Sequence, residues 1–274
     1  MIDMSDKRTA LSEAIKLIND GDMIALGGLN LYRRPIAAVC EIIKNQVNNL
    51  SLLTLTGGFE TDILIGAGCV KTIHSCYVGL ESFGLAPNFT EKGTSGDINI
   101  IEETEATITF GLRATLARVG FFPSRSLIGT DTLEVRKDIK TICCPYSQEI
   151  YPAIPAIKPD VAIVHTQLSD IDGYACLEGE FSIDKEICLS ADRVIITTEK
   201  IVKQEEIEAR GADIIGLPVT AVVEVPYGAY PTSCYPYYPF DGEEILRYLE
   251  MCEKGEFSSY LEPFLTGEKF VREK

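Results

Sequence analysis

Residues 20–45 read DGDMIALGGLNLYRRPIAAVCEIIKN. Met23–Leu26 is a short run of apolar residues at successive positions. Strands of that kind are buried on both faces, as in a parallel sheet covered by helices. Gly27 and Gly28 end the run and supply a tight turn. Arg33, Arg34 and Pro35 then lead into a segment in which Ile36, Val39, Cys40 and Ile43 share one helical face. Proline fits the first helical turn, where its missing N–H leaves nothing unpaired. Strand, glycine turn and amphipathic helix form the repeating unit of an α/β protein.

The same alternation runs outward in both directions. Upstream, Leu11, Ala14, Ile15 and Ile18 fall at helical spacing. Downstream, LSLLTLTGG (50–58) reads as a strand and loop, ETDILIGAG (60–68) as a short helix and VKTIHSC (70–76) as a strand. DINIIEE (97–103) leads to a helix with Ile108, Leu112 and Leu116 in line. DVAIVHTQ, RVIITTEK and TAVVEV give three more strands, and EEILRYLEMC (243–252) a closing helix. The predicted fold is a three-layer α/β unit: an open, mostly parallel sheet with helices on both faces and right-handed crossovers. Residues 1–274 are expected to form a single domain.

Composition narrows the function. The chain has 274 residues, 46% of them hydrophobic, and a net charge of −16. That balance suits a globular chain with a sizeable core. A strongly acidic surface disfavours nucleic acid and anionic membranes as partners. No apolar run approaches the ~20 residues of a membrane span, and residues 1–17 lack a signal-peptide core, so the cytoplasm is the expected compartment. Nine scattered cysteines without a CxxC pair read as small packed hydrophobes, not as a disulfide framework or zinc site. Two histidines, His74 and His165, leave little material for a metal site or a Ser–His hydrolase; His165 reads as a structural residue at a strand end. The tract PYGAYPTSCYPYYPF (226–240) suits a packed loop or a subunit interface, and DIDG (170–173) a turn.

Three places have the residue types for chemistry. The Gly27-Gly28 turn with Arg33 and Arg34 offers backbone N–H groups and cationic side chains to a phosphate or carboxylate, or else is only a tight turn with a solvated cationic edge. In Glu102-Glu103-Thr104-Glu105, acids in a first helical turn are stabilised by the helix dipole. Glu105 is also placed to act as a base or nucleophile at the carboxyl edge of a parallel sheet, where open α/β folds carry their sites. Glu81, in the loop GLESFG (79–84), either faces a substrate or caps the next segment.

Segments 20–43, CYVGLESFGLAPNF (76–89), EETEATITFGLRATLARVGFFPSR (102–125), PDVAIVHTQLSDIDGYA (159–175), VIITTEKIV (194–202) and AVVEVPYGAYPTSCY (221–235) resemble, in order, the A subunits of family I CoA-transferases. The glutaconate CoA-transferase A-subunit type is the nearest in pattern, and the likeness spans Asp20 to about Asp241. It implies a heterodimer or heterotetramer with a B subunit that supplies the nucleophilic glutamate. The substrates would be an acyl-CoA and a small carboxylic acid, with coenzyme A as substrate and no metal or redox cofactor. Gly27, Gly28, Arg33, Arg34 and Glu81 would then line the acyl or CoA site. The chain is also similar to the A subunit of a ring-opening CoA-thioester hydrolase, whose catalytic glutamate falls at Glu105, where transferase A subunits tend to have glutamine. A third reading is a non-catalytic effector-binding domain of the same fold.

Overall fold

The structure is a computed structural model that describes residues 6–271; the first five residues of the segment read above for a leader lie outside the described residues. The first half of the chain runs α1 (Leu11–Ile15), β1 (Met23–Leu26), α2 (Ile36–Lys44), β2 (Leu50–Leu53), β3 (Thr56–Gly57), α3 (Phe59–Gly66), β4 (Val70–Ser75), β5 (Tyr77–Val78), α4 (Pro87–Ser95), β6 (Asn99–Glu102) and α5 (Glu105–Leu116). An arm follows, made of β7 (Phe121–Pro123), α6 (Thr132–Val135), β8 (Lys140–Cys143) and β9 (Ile150–Pro155). The second half contains β10 (Val161–Ser169), β11 (Ala175–Cys176), α7 (Asp184–Ser190), β12 (Arg193–Ile201), α8 (Gln204–Arg210), β13 (Val219–Glu224), α9 (Gly242–Glu253) and α10 (Phe257–Leu265).

The main sheet has the order β13-β12-β10-β1-β2-β4-β6, all parallel, with β11 antiparallel on β10. Ile24 and Leu26 face one layer with Ile36, Val39, Phe59 and Tyr248 of α2, α3 and α9. Ala25, Leu53, Ala162 and Val164 face the other with Ile108, Leu112 and Ile187 of α5 and α7. Period-2 alternation along each strand therefore feeds two cores, and a fully buried Ile, Leu or Val stabilises by about 1.5–3 kcal/mol. This is the three-layer α/β arrangement expected from the sequence.

Three details differ from the sequence reading. β10 runs four residues past His165, and all nine of its residues are buried, so the histidine lies inside the strand rather than at its end. Leu116, expected on the buried face of α5, is 40% exposed, in a run of exposed residues from 116 to 121 where the helix ends. The arm strands form a separate antiparallel sheet, β7-β9-β8. They escaped notice because none of them shows a run of buried positions: β8 is exposed at all four.

Candidate active site

The direction of the chain reverses between β1 and its neighbours. From β1 it steps through β2, β4 and β6, then returns to β10 on the other side of β1. In open α/β sheets ligands bind outside the carboxyl ends of strands near such a switch point. The connections leaving β1, β2, β4 and β6 are joined side by side there. Asn30 N–H donates to Thr56 O at 3.3 Å, Cys76 N–H to Leu55 O at 3.2 Å, Gly79 N–H to Gly57 O at 3.1 Å and Glu103 N–H to Ser75 O at 3.2 Å. The short β3–β5 pair belongs to the same seam.

The glycine turn is built as the sequence suggests. Gly28 has φ +81°, and a Cβ there would lie 2.5 Å from Tyr32 O. A Cβ on Gly27 would collide with the Asp184 carboxylate and Val164. The two arginines, however, turn inward. Both are 0% exposed. Arg33 pairs with Asp184 at 3.0 Å and donates to His165 O at 2.8 Å. It has φ +53°, and its N–H donates to Ser233 O at 2.7 Å. Arg34 donates to the carbonyls of Gly27 (2.8 Å), Gly28 (2.7 Å) and Thr56 (2.6 Å) and to Thr54 Oγ1 (2.8 Å), and pairs with buried Glu60. Arg34 thus ties the loop after β1 to the loop after β2. Burial works to raise the Asp184 carboxyl, but Arg33 and the N–H groups of Gly28 and Ser182 outweigh it and hold the group below the usual carboxylate range.

The acids divide into two kinds. Glu103 is buried, pairs with Arg136 of the arm at 2.7 Å and lies 3.2 Å from His74 Nδ1. Burial would raise its carboxyl, but His74, Thr107 and Arg136 together lower it below its ordinary value. Glu105, two residues on, is exposed and opens α5 behind the cap Thr104, whose Oγ1 accepts from Thr107 N at 3.1 Å. Among the described residues its carboxylate has no hydrogen bond or ion pair. It stands beside Cys76, whose thiol is pushed up to about 11 by burial first and by Glu105 next. That thiol donates to Leu55 O at 2.8 Å, and Glu105 lies two residues beyond Glu103, whose N–H joins the seam at Ser75 O. Glu81 is also exposed, on the connection after β5, with φ +55°. The structure therefore leaves Glu105 and Glu81 open to solvent and commits Arg33 and Arg34 to internal partners.

Residues read from the sequence as structural, His165 and the 226–240 tract, complete the edge together with Glu199. His165 is fully buried; its Nδ1 lies 2.9 Å from Thr197 Oγ1 and its Nε2 2.9 Å from Glu199 Oε1. Glu199 also accepts from Tyr238 Oη at 2.5 Å and from Tyr227 N at 2.8 Å. Cys234 Sγ adjoins these atoms, all within 4.8 Å of one another, a spacing that would admit a metal ion. Every ring nitrogen and both Glu199 oxygens already have protein partners, so the group reads as a hydrogen-bonded clamp. It fastens the 226–240 tract over the switch point, which is the packing role its composition suggests. Asp170 Oδ1 accepts from Asp172 N and Tyr174 N, so DIDG is a turn.

A doubly wound sheet with a glycine-lined carboxyl edge defines a small-molecule-binding α/β protein. The sequence model for Coenzyme A transferase matches residues 8–225, and the chain belongs to that family. It is 33% identical over 257 residues to the A subunit of glutaconate CoA-transferase from Acidaminococcus fermentans, covering 87% of this chain and 80% of the relative. The crystal structure of that enzyme superimposes with a TM-score of 0.84 at 30% identity, covering 96% of this chain and 89% of the other. The cholesterol ring-cleaving hydrolase IpdA subunit of Mycobacterium tuberculosis is 31% identical over 90% of this chain and 88% of its own length. The crystal structure of a variant of the decarboxylase AibA/AibB gives a TM-score of 0.88 at 28% identity, over 94% of this chain and 97% of that one. An uncharacterised Archaeoglobus fulgidus protein is 34% identical over 97% of this chain, which spans 60% of that protein's length. Among the described residues no helix is long and apolar enough to cross a membrane.

Proposed function

We propose that this chain is the A subunit of a heteromeric acyl-CoA:carboxylate CoA-transferase, acting as one A-subunit domain in the cytoplasm. It forms one wall of the acyl-CoA site, and a B subunit supplies the nucleophilic glutamate. That glutamate attacks the thioester carbonyl and the carbon–sulfur bond breaks, giving an acyl-glutamyl anhydride and CoA thiolate. The thiolate attacks the glutamyl carbonyl, releasing the first carboxylate and leaving an enzyme–CoA thioester. The second acid reverses both steps and departs as its CoA ester. The sequence balances without a metal or redox cofactor. Water must be excluded from the anhydride, which a docked partner would do.

The observation that carries this reading is the seam of glycine turns, held by Arg34, beside an unpaired Glu105. On this reading Gly27 and Gly28 line the acyl or CoA site by close backbone approach, with Glu81 at its rim. Arg33 and Arg34 act from beneath, fixing the loops.

A second reading, a CoA-thioester hydrolase in which Glu105 activates water, is favoured by the exposed Glu105 carboxylate and by the hydrolase relative. One experiment separates them. The chain is co-expressed with the protein encoded by the adjacent reading frame and given acyl-CoA labelled in its CoA moiety with a free carboxylic acid. Label moving to the free acid's CoA ester supports the transferase. CoA kept on its original acyl group while a carbon–carbon bond is cleaved refutes it in favour of the hydrolase.

A further inference from the structure

The arm between α5 and β10 is unlike the rest of the surface. Its sheet order leaves one edge of β8 unpaired, and Lys140–Cys143 are exposed on both faces of the strand. Of the 22 exposed large hydrophobic residues among the described residues, eight fall in the short stretch from Leu116 to Ile150. Val135 is 65% exposed, Ile142 36%, Tyr146 95% and Ile150 55%. Charge is also inverted: residues 117–150 contain five Lys and Arg against four Asp and Glu, a local +1 in a chain of −16. Apolar side chains interleaved with cations along an open strand edge are the features of an unpartnered protein interface.

The arm is also anchored at the candidate site. Arg136 Nη1 donates to Glu102 O at 2.9 Å and pairs with Glu103, two residues from Glu105. Phe122 stacks on Phe110 of α5 with ring centroids 4.8 Å apart. The arm is therefore contiguous with the segment that carries Glu105.

We propose that the arm is the docking surface for the second, different subunit of the enzyme, and that this subunit pairs with the free edge of β8. Its surface opposite Val135, Ile142 and Ile150 is apolar, with carboxylates facing Arg125, Lys137 and Lys140. The proposal rests on the heteromeric reading above. Continuity of the arm with the site selects the subunit that completes the site over a second copy of this chain. Docking there desolvates the rim around Glu105, which the isolated chain leaves open.

The test uses the complex of this chain with the protein encoded by the adjacent reading frame. Hydrogen exchange at Lys140–Cys143 should slow at least about 10-fold on complex formation, while exchange around Leu217, 76% exposed elsewhere, stays the same. The double variant Val135→Asp/Ile150→Asp should keep the circular dichroism and melting temperature of the free chain, because both side chains are more than half exposed. Its dissociation constant from the partner should rise at least about 100-fold by sedimentation. Unchanged exchange at β8 overturns the proposal without recourse to any variant, as does unchanged affinity. Protection of β8 in the chain alone, rising with its concentration, assigns the surface to a second copy and also overturns it. Assembly through the arm without CoA exchange retains the docking surface and removes the transferase reading. CoA exchange in a complex indifferent to the variant does the reverse, and no complex at all removes both.

Discussion

Replacing Arg34 by methionine keeps much of the side chain's length and removes its charge. The structure gives the cost. Arg34 is 0% exposed and makes four hydrogen bonds of 2.6–2.8 Å across two loops, besides its pairing with Glu60. Removing one partner of a buried ion pair destabilises by about 3–5 kcal/mol, because the other charge stays buried without compensation. Loss of the hydrogen bonds to the loop acceptors places the cost at the upper end of that range. The expected total is about 5 kcal/mol, against a typical protein stability of ~5–15 kcal/mol. Guanidinium titration followed by circular dichroism measures it, with a fall in melting temperature on the order of 10 °C. Adding Glu60→Met should recover about 2 kcal/mol by removing the stranded carboxylate. Arg247→Met, which changes a side chain 53% exposed, should have little effect. A loss below about 1 kcal/mol for Arg34→Met, or a double variant less stable than the single, would refute the assignment of Arg34 as the tie between the loops.

Further outcomes follow from the same geometry. Gly28→Ala places a Cβ 2.5 Å from a backbone oxygen at φ +81°, so it should destabilise by more than about 1 kcal/mol and weaken acyl-CoA binding, measured by denaturation and calorimetry. Glu105→Gln should reduce transferase kcat by less than about 10-fold if the nucleophile is the partner's, but by roughly 10²–10⁴ if Glu105 activates water, read from steady-state rates. Glu103 has a depressed carboxyl, so its contribution is fully present above its ordinary value of 4.5 and is lost as pH falls through the lower folded value. Denaturation midpoints between pH 6 and 3 should fall more shallowly in Glu103→Gln than in the parent chain.

The fold was legible because β1, β10 and β12 contain unbroken apolar runs, Met23–Leu26, Val161–Val164 and Val194–Ile196, and α2 has an apolar face beginning just after a proline. Those are local signals with a long-range consequence, since a strand buried on both sides requires two helical layers. Gly27 and Gly28 were legible for the same reason: steric permission is a property of the residue itself. The fate of Arg33 and Arg34 was not. A guanidinium beside a helix start reads as a cationic edge, and only the return of Asp184 and Glu60 from elsewhere in the chain makes it a buried cross-link. Asp184 lies 151 residues from Arg33, and no local pattern announces it. The His165–Glu199 contact depends likewise on the register of β10 against β12, in which His165 sits opposite Thr197. The arm strands were hidden because β7 and β8 have no buried position, and the alternate burial of β9 falls on Pro152 and Ile154 in a segment broken by prolines.

The division of labour within the complex has a direct mass test. The complex is incubated with acyl-CoA, the enzyme–CoA thioester is reduced with borohydride, and the intact mass of each protein is measured. The account predicts an unchanged mass for this chain and a modified glutamate on its partner. A covalent change on this chain, at Glu105 or elsewhere, would contradict it.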